Sequence, residues 1–155
     1  MKRSLQAMMT LGACASLLWI LVPGPGAAEG RACDLKVVAT GFKNASGEAM
    51  IAIYASKAKW LKEGGSFRYV RLPIKNGRVV TVFKNVPYGR YGIAIYHDAN
   101  KNNKMDSNMM GIPTEGGGIS NNPGVRLGPP LWKDSSFALN SAAYTTNIKI
   151  KYYLD

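Results

Sequence analysis

Val79-Val80-Thr81-Val82-Phe83, Val86-Pro87-Tyr88-Gly89 and Tyr91-Gly92-Ile93-Ala94-Ile95-Tyr96 follow one another closely and decide the fold. The first run is β-branched and the last is almost wholly apolar, which suits a strand buried on both sides. Between them Pro87 fixes its own φ and Gly89 permits an unusual one, so the four residues from Val86 read as a turn feeding the Tyr91 strand. Working outward, Leu35, Val37 and Ala39 alternate with Lys36 and Thr40, the period-two pattern of a half-buried strand. Ala49 to Tyr54 is another apolar run, Phe67 to Leu72 alternates with Arg68 and Arg71, and Ser136 to Leu139 is weaker. At the end, Ile148, Ile150, Tyr152 and Leu154 alternate with Lys149 and Lys151. The expectation is an all-β, antiparallel seven-stranded β-sandwich. Only Ser56 to Glu63 has helical character, and it is too short to form a layer.

The chain has 155 residues and 46% hydrophobic content, enough for one compact domain with a true core. Two cysteines exclude a disulfide-rich scaffold, and one histidine excludes His-rich metal sites and relays. No Gly-x-Ser-x-Gly elbow, Walker loop or His-Glu-x-x-His helix is present.

Residues 1–28 read as a secretory signal peptide. Lys2 and Arg3 precede an apolar run ending at Val22, prolines follow, and Gly26-Ala27-Ala28 offers small residues at a cleavage site. From Met8 to Val22 is 15 residues, short of the ~20 that cross a bilayer as a helix. The expected product is a periplasmic or secreted domain of residues 29–155, with no stable membrane span after cleavage. Cleavage would remove Cys14 and leave Cys33 without an internal disulfide partner. Cys33 then reads as a small buried strand residue, since a reactive thiolate needs an accessible, electropositive setting. Eighteen basic residues would face nine acidic ones, a charge of +9, scattered and not in a block. Such a charge suits loose attraction to anionic surfaces. Nucleic acid is not an expected partner, because export removes it and no Arg-interleaved stacking platform is visible.

One long loop, between the fifth and sixth strands, runs from Asp98 to Ser136. Loops beyond ~12–15 residues are uncommon in compact domains and are usually functional or disordered. This one carries Met109, Met110, Ile112, Ile119, Val125, Leu127, Leu131 and Trp132, which predicts that it packs onto the sandwich. It opens with Asp98-Ala99-Asn100-Lys101-Asn102-Asn103-Lys104-Met105-Asp106. Oxygen-bearing side chains at relative positions 1, 3, 5 and 9 match the first part of a calcium-binding loop, in which position 7, here Lys104, offers its carbonyl. Calcium suits them as a hard cation that accepts six to eight oxygens in forgiving geometry. Asn103 stands at the sixth position, where Gly is usual, and Asn tolerates the left-handed conformation required there. Met109 stands where a bidentate Glu is usual, so Glu115 is the candidate to complete the shell. Asp98, Asn100, Asn102, Lys104, Asp106 and Glu115 are thus the expected metal site. The competing reading is an Asx-rich turn that needs no ion.

His97, Asp98 and Glu115 form an alternative, catalytic set, an acid–base group acting as a hydrolase or transferase on envelope polysaccharide; convergence in one cleft is what it requires.

Two further stretches carry a family resemblance. Val86-Pro87-x-Gly89-x-Tyr91 runs into His97-Asp98-x-Asn100, and Gly111-Ile112-Pro113-x-Glu115 is followed by Ser120-Asn121-Asn122. Together they resemble the bacterial secreted domain-of-unknown-function family numbered 2141, from about Cys33 to the C-terminus. The family usually has Gly after the second Asn, where this chain has Asn103. The resemblance implies a signal-bearing envelope protein with an Ig-like or prealbumin-like sandwich, of the transthyretin or carboxypeptidase-regulatory type, and supplies no activity. The combined expectation is a non-enzymatic binding domain for an envelope glycan or protein, its long loop ordered by calcium. A basic protein bound to anionic surface glycolipid is the other alternative.

Overall fold

A computed structural model of the chain describes residues 30–124 and 128–153. The signal-peptide reading, Val125, Leu127 and Leu154 lie outside the described residues. The elements are β1 (Ala32–Thr40), β2 (Glu48–Tyr54), β3 (Arg68–Leu72), β4 (Arg78–Pro87), β5 (Gly89–Asp98), β6 (Gly117–Ile119), α1 (Trp132–Ser135), β7 (Ser136–Leu139) and β8 (Ala143–Lys149). A 3-10 turn at Lys57–Lys59 is all that the short helical candidate forms.

The strands make two sheets. One has the order β4-β1-β8, and the other the order β3-β2-β5-β6 with β7 also paired to β5. The Pro87–Gly89 turn therefore does not close a hairpin; it carries the chain from one sheet to the other. Tyr91 secures this corner, its hydroxyl donating to the Pro87 carbonyl at 2.9 Å. A Cβ on Gly89 would stand 3.3 Å from the Tyr91 ring. Leu35, Val37, Val79, Phe83 and Ile148 from the first sheet form one buried cluster with Ile51, Ile53, Ile93 and Ile95 from the second. Each such side chain contributes ~1.5–3 kcal/mol by leaving water.

Three expectations need correction. Among the described residues there are eight strands, not seven, because β6 lies inside the long loop. Gly117 and Gly118 have no side chains, so no alternation marks it. The sandwich is not wholly antiparallel: β1 and β8 run parallel, from Asp34↔Ala143 to Thr40↔Lys149. Alternation reports which face a strand buries and is silent on the direction of its neighbour. The last strand begins five residues earlier than its apolar pattern, at Ala143. Thr145 and Asn147 fill its outer face, while Thr146, Ile148 and, just beyond it, Ile150 are buried.

Both seams between the sheets are tied. On one side, Gly117 and Lys151 exchange backbone hydrogen bonds of 2.9 and 2.8 Å. Beside them the Asn122 side chain donates to the Asn147 carbonyl and accepts the Lys149 N–H, both at 2.8 Å, as another strand would. On the other side, the Arg68 guanidinium of β3 donates to the Lys84 and Asn85 carbonyls of β4 at 2.6 and 3.2 Å. The register of β1 with β4 shifts there, and Asn85 takes φ 52°, the left-handed conformation that Asn tolerates.

The long loop packs only in part. Ile112, Ile119 and Trp132 are half-buried, whereas Met109, Met110 and Leu131 are exposed. Trp132 meets Trp60 edge-on at 5.5 Å and Trp60 meets Tyr54 at 5.1 Å, while Trp60 Nε1 donates to the Pro130 carbonyl at 2.8 Å. This aromatic packing sits over Gly92, where a Cβ would come within 2.8 Å of Trp60 and 3.0 Å of Trp132.

Candidate functional site

β5 ends at Asp98, whose β2 partner is Glu48. Gly47, at φ +67°, lets β2 begin against this end, since a Cβ there would lie 1.9 Å from the Asp98 carbonyl oxygen. The chain then turns through Lys101 and Asn103, at φ 61° and 66°. Asn103 thus takes the left-handed conformation expected of the sixth loop position.

The loop gathers its oxygen-bearing side chains. The Asn102 N–H is shared by Asp98 Oδ1 and Asn100 Oδ1, each at 3.0 Å, which sets those two oxygens beside each other. Asp98 Oδ2 accepts the Asn103 N–H at 2.9 Å. The Asp106 carboxylate receives the amide of Asn100 at 2.7 Å and that of Asn102 at 2.9 Å on both oxygens. Four of the six expected ligands, Asp98, Asn100, Asn102 and Asp106, therefore meet in one network. Lys104 is exposed, and its N–H donates to Asn102 Oδ1 at 2.9 Å.

Glu115 has a different place. It is buried, and its two oxygens accept the N–H groups of Ala99 at 2.9 Å and Asp106 at 3.1 Å. It clasps the two ends of the loop from beneath, with the Thr114 N–H returning to the Asp106 carbonyl at 2.9 Å.

Among the described residues no three His, Cys, Asp or Glu side chains gather as a metal cluster. The loop's donors are two carboxylates and two amides, a set that fits a hard, oxygen-seeking cation and offers nothing to a thiolate- or imidazole-seeking one. As drawn by the hydrogen bonds, the asparagines turn their nitrogens toward Asp106. Binding a cation there would require them to present oxygen instead.

His97 points to the other face of the strand, the one that buries Ile93 and Ile95, though it and Asp98 are both buried, 2% and 1% exposed. Its Nε2 faces the Ser46 carbonyl at 2.7 Å, an acceptor only, so the proton sits on Nε2. Nδ1 accepts the Tyr152 hydroxyl at 2.8 Å, and that hydroxyl accepts the Lys43 N–H at 3.1 Å. Phe42 and Tyr152 pack edge-on against the ring. His97 and Asp98 thus occupy opposite faces of β5, and the catalytic set does not converge in one cleft. Cys33 is buried and free; burial pushes its thiol up, and Asp34 adds to the rise.

Sequence reasoning gave no role to Ser120 or Asn121. The Ser120 hydroxyl accepts the Ile93 N–H at 2.8 Å and reaches the Ser135 carbonyl at 2.5 Å, filling the ladder where the edge of β5 passes from β7 to β6. The Asn121 amide donates to the Asp134 and Ser136 carbonyls at 3.2 Å. The signal for Asn121 was its type, since Asn tolerates the left-handed conformation that Asn121 and its neighbour Asn122 both take.

Two facing sheets, a corner locked by Pro87 and Tyr91, and an asparagine–carboxylate loop clasped by Glu115 define a two-sheet all-β domain with one ordered excursion. The chain belongs to the family described as "Uncharacterized protein conserved in bacteria (DUF2141)", which it matches over residues 37–147. No curated protein and no solved structure matches it.

Proposed function

We propose that this protein is an exported, non-enzymatic binding domain of the cell envelope, prealbumin-like in type, whose Asp98–Asp106 loop takes a weakly held calcium ion. One observation carries the reading: Asp98 Oδ1 and Asn100 Oδ1 lie against a single N–H while the Asp106 carboxylate reaches the amides of Asn100 and Asn102. Asp98, Asn100, Asn102 and Asp106 would hold the ion, with the Lys104 carbonyl as a further oxygen. Calcium would replace hydrogen bonds among these side chains by stronger electrostatic links, fixing the root of the long loop against the sandwich. Glu115 keeps the loop ends together by accepting two backbone N–H groups. The burial of His97, bonded to Tyr152 and Ser46 on the strand face away from Asp98, supports binding over catalysis.

The reading is tested by calorimetric titration with calcium and by melting in millimolar calcium against chelator. With two carboxylates at the centre, Kd is expected at roughly 10⁻⁴–10⁻³ M. Saturation to 100 times Kd raises stability by ~2.7 kcal/mol. Identical melts in calcium and chelator, with no binding heat, would overturn it.

A further inference from the structure

Past the ion loop, the chain makes a second, tighter excursion. The Asn108 side-chain oxygen accepts the N–H groups of Met110 and Ile112, both at 3.0 Å. The Asn108 backbone exchanges with Ile112 and Gly111, its N–H donating to the Ile112 carbonyl and its carbonyl accepting the Gly111 N–H, both at 2.9 Å. Ser107 and Pro113 form a bridge at the base. Such a self-bonded tip presents its side chains in a set direction. The side chains it presents are Met109, 105% exposed, and Met110, 78% exposed.

Placing two thioethers fully in water is unfavourable for the isolated domain, and clustered exposed apolar groups mark contact surfaces. Met110 also stands on the rim of a cleft of about 1130 Å³. Leu131 and Tyr153, both exposed, are on that rim too. Lys149 and Lys151 line the cleft, and Asp134 is the acid among its described lining residues. Apolar side chains and lysines sharing one cleft match what an anionic bilayer surface offers, acyl chains beside phosphate. The charge of residues 29–155, +9 without Lys2 and Arg3, has the sign such a surface attracts.

We propose that this face docks on an anionic phospholipid surface, Met109 and Met110 entering the interface with Leu131 beside them while Lys149 and Lys151 meet headgroup phosphates. The inference rests on the envelope location proposed above and is independent of calcium, since none of these residues belongs to the ion loop. Its test is therefore run in chelator.

The exported chain, residues 29–155, is treated with hydrogen peroxide in the presence of phosphatidylglycerol or phosphatidylcholine vesicles, and each methionine is read by peptide mass spectrometry. Exposed thioethers oxidise to sulfoxides, and contact with a bilayer shields them. Phosphatidylglycerol vesicles are expected to slow oxidation of Met109 and Met110 severalfold, phosphatidylcholine vesicles to have little effect, and half-buried Met50 in β2 to serve as the internal reference. In K149Q/K151Q the lipid concentration needed for half-protection is expected to rise about thirtyfold, at ~1 kcal/mol for each lysine. High salt should remove the protection in the same way. Equal protection by both lipids, none by either, or indifference to salt and to the lysine changes would each overturn the proposal. Loss of the calcium effect described above would leave this result untouched, so the two readings fail separately.

Discussion

Tyr152 donates its hydroxyl to Nδ1 of His97 at 2.8 Å, joining the segment after β8 to the interior end of β5. Among the described residues the histidine has no other partner for that nitrogen, and Phe42 packs edge-on against the ring. Tyr152→Phe therefore leaves a buried acceptor unsatisfied and is expected to cost ~1–3 kcal/mol. Urea unfolding would register it as a lower midpoint with an unchanged slope. No loss of stability would mean that the His97 network is incidental.

Asp106→Asn separates the ion from the fold. Asp106 is half-buried, and its side chain receives only the Asn100 and Asn102 amides, so the change leaves every backbone hydrogen bond in place. Its cost without calcium is expected within ~1 kcal/mol. The calcium-dependent rise in melting temperature should shrink or vanish, because half of the central charge is gone. Asp98→Asn is the contrasting case: both carboxylate oxygens accept backbone N–H groups, and one must be lost. It should lower stability by ~1–3 kcal/mol with or without calcium. Equal behaviour of the two variants in chelator would overturn this division of roles.

Glycine-rich sequence in the long loop reads naturally as slack, and the packing gives the opposite meaning. A Cβ on Gly118 would stand 2.8 Å from Ile150 Cδ1, 2.9 Å from Ile148 Cγ2 and 3.1 Å from the Lys149 carbonyl oxygen. Gly118→Ala is expected to cost ~1–3 kcal/mol by overpacking. Circular dichroism melts of Gly118→Ala beside Gly124→Ala, where nothing among the described residues lies within 4 Å of the added Cβ, would check it. Equal melts for the two would show that the β6 seam tolerates a side chain.

This contrast shows why the strands with side chains on both faces were legible and β6 was not. Ile51, Ile53, Ile93 and Ile95 announce a buried strand at every second position, and all four lie in the core. Gly117 and Gly118 carry no such signal, and Thr145 and Asn147 disguise the start of β8. The gathering of Asp98, Asn100, Asn102 and Asp106 was legible because these side chains recur at alternate positions. The clasp was not, because Glu115 meets Ala99 and Asp106 only after β6 has paired with β5. The role of Asn122 as a stand-in strand residue likewise depends on β8, distant in sequence.

Asp34 carries the clearest pH dependence. Its carboxylate accepts the Lys84 ammonium at 2.6 Å and the Asn85 N–H at 3.2 Å, which holds it below the ordinary carboxylate range. A carboxylate depressed in the folded state adds stability above its unfolded pKa of about 3.9, and that stability is lost as pH falls through the folded value. Lys84→Met removes the largest cause of the depression. The stability difference between this variant and the unaltered chain should be present at pH 7 and narrow below about pH 4. A difference independent of pH would assign the effect to packing of the Lys84 stem.

Cys33 provides the opposite sign. Its folded thiol is raised by burial first and by Asp34 second, so the neutral form is favoured in the fold. Stability from this source is complete below the unfolded pKa of about 8.5 and is lost as pH rises through the folded value. With 0% of its surface exposed, Cys33 should resist iodoacetamide in the native protein at pH 8 and react when urea unfolds it. Peptide mass spectrometry reads Cys33 separately from Cys14. Alkylation of Cys33 under native conditions at the rate of a free thiol would mean that β1 opens on its own, which its backbone ladders to both β4 and β8 argue against.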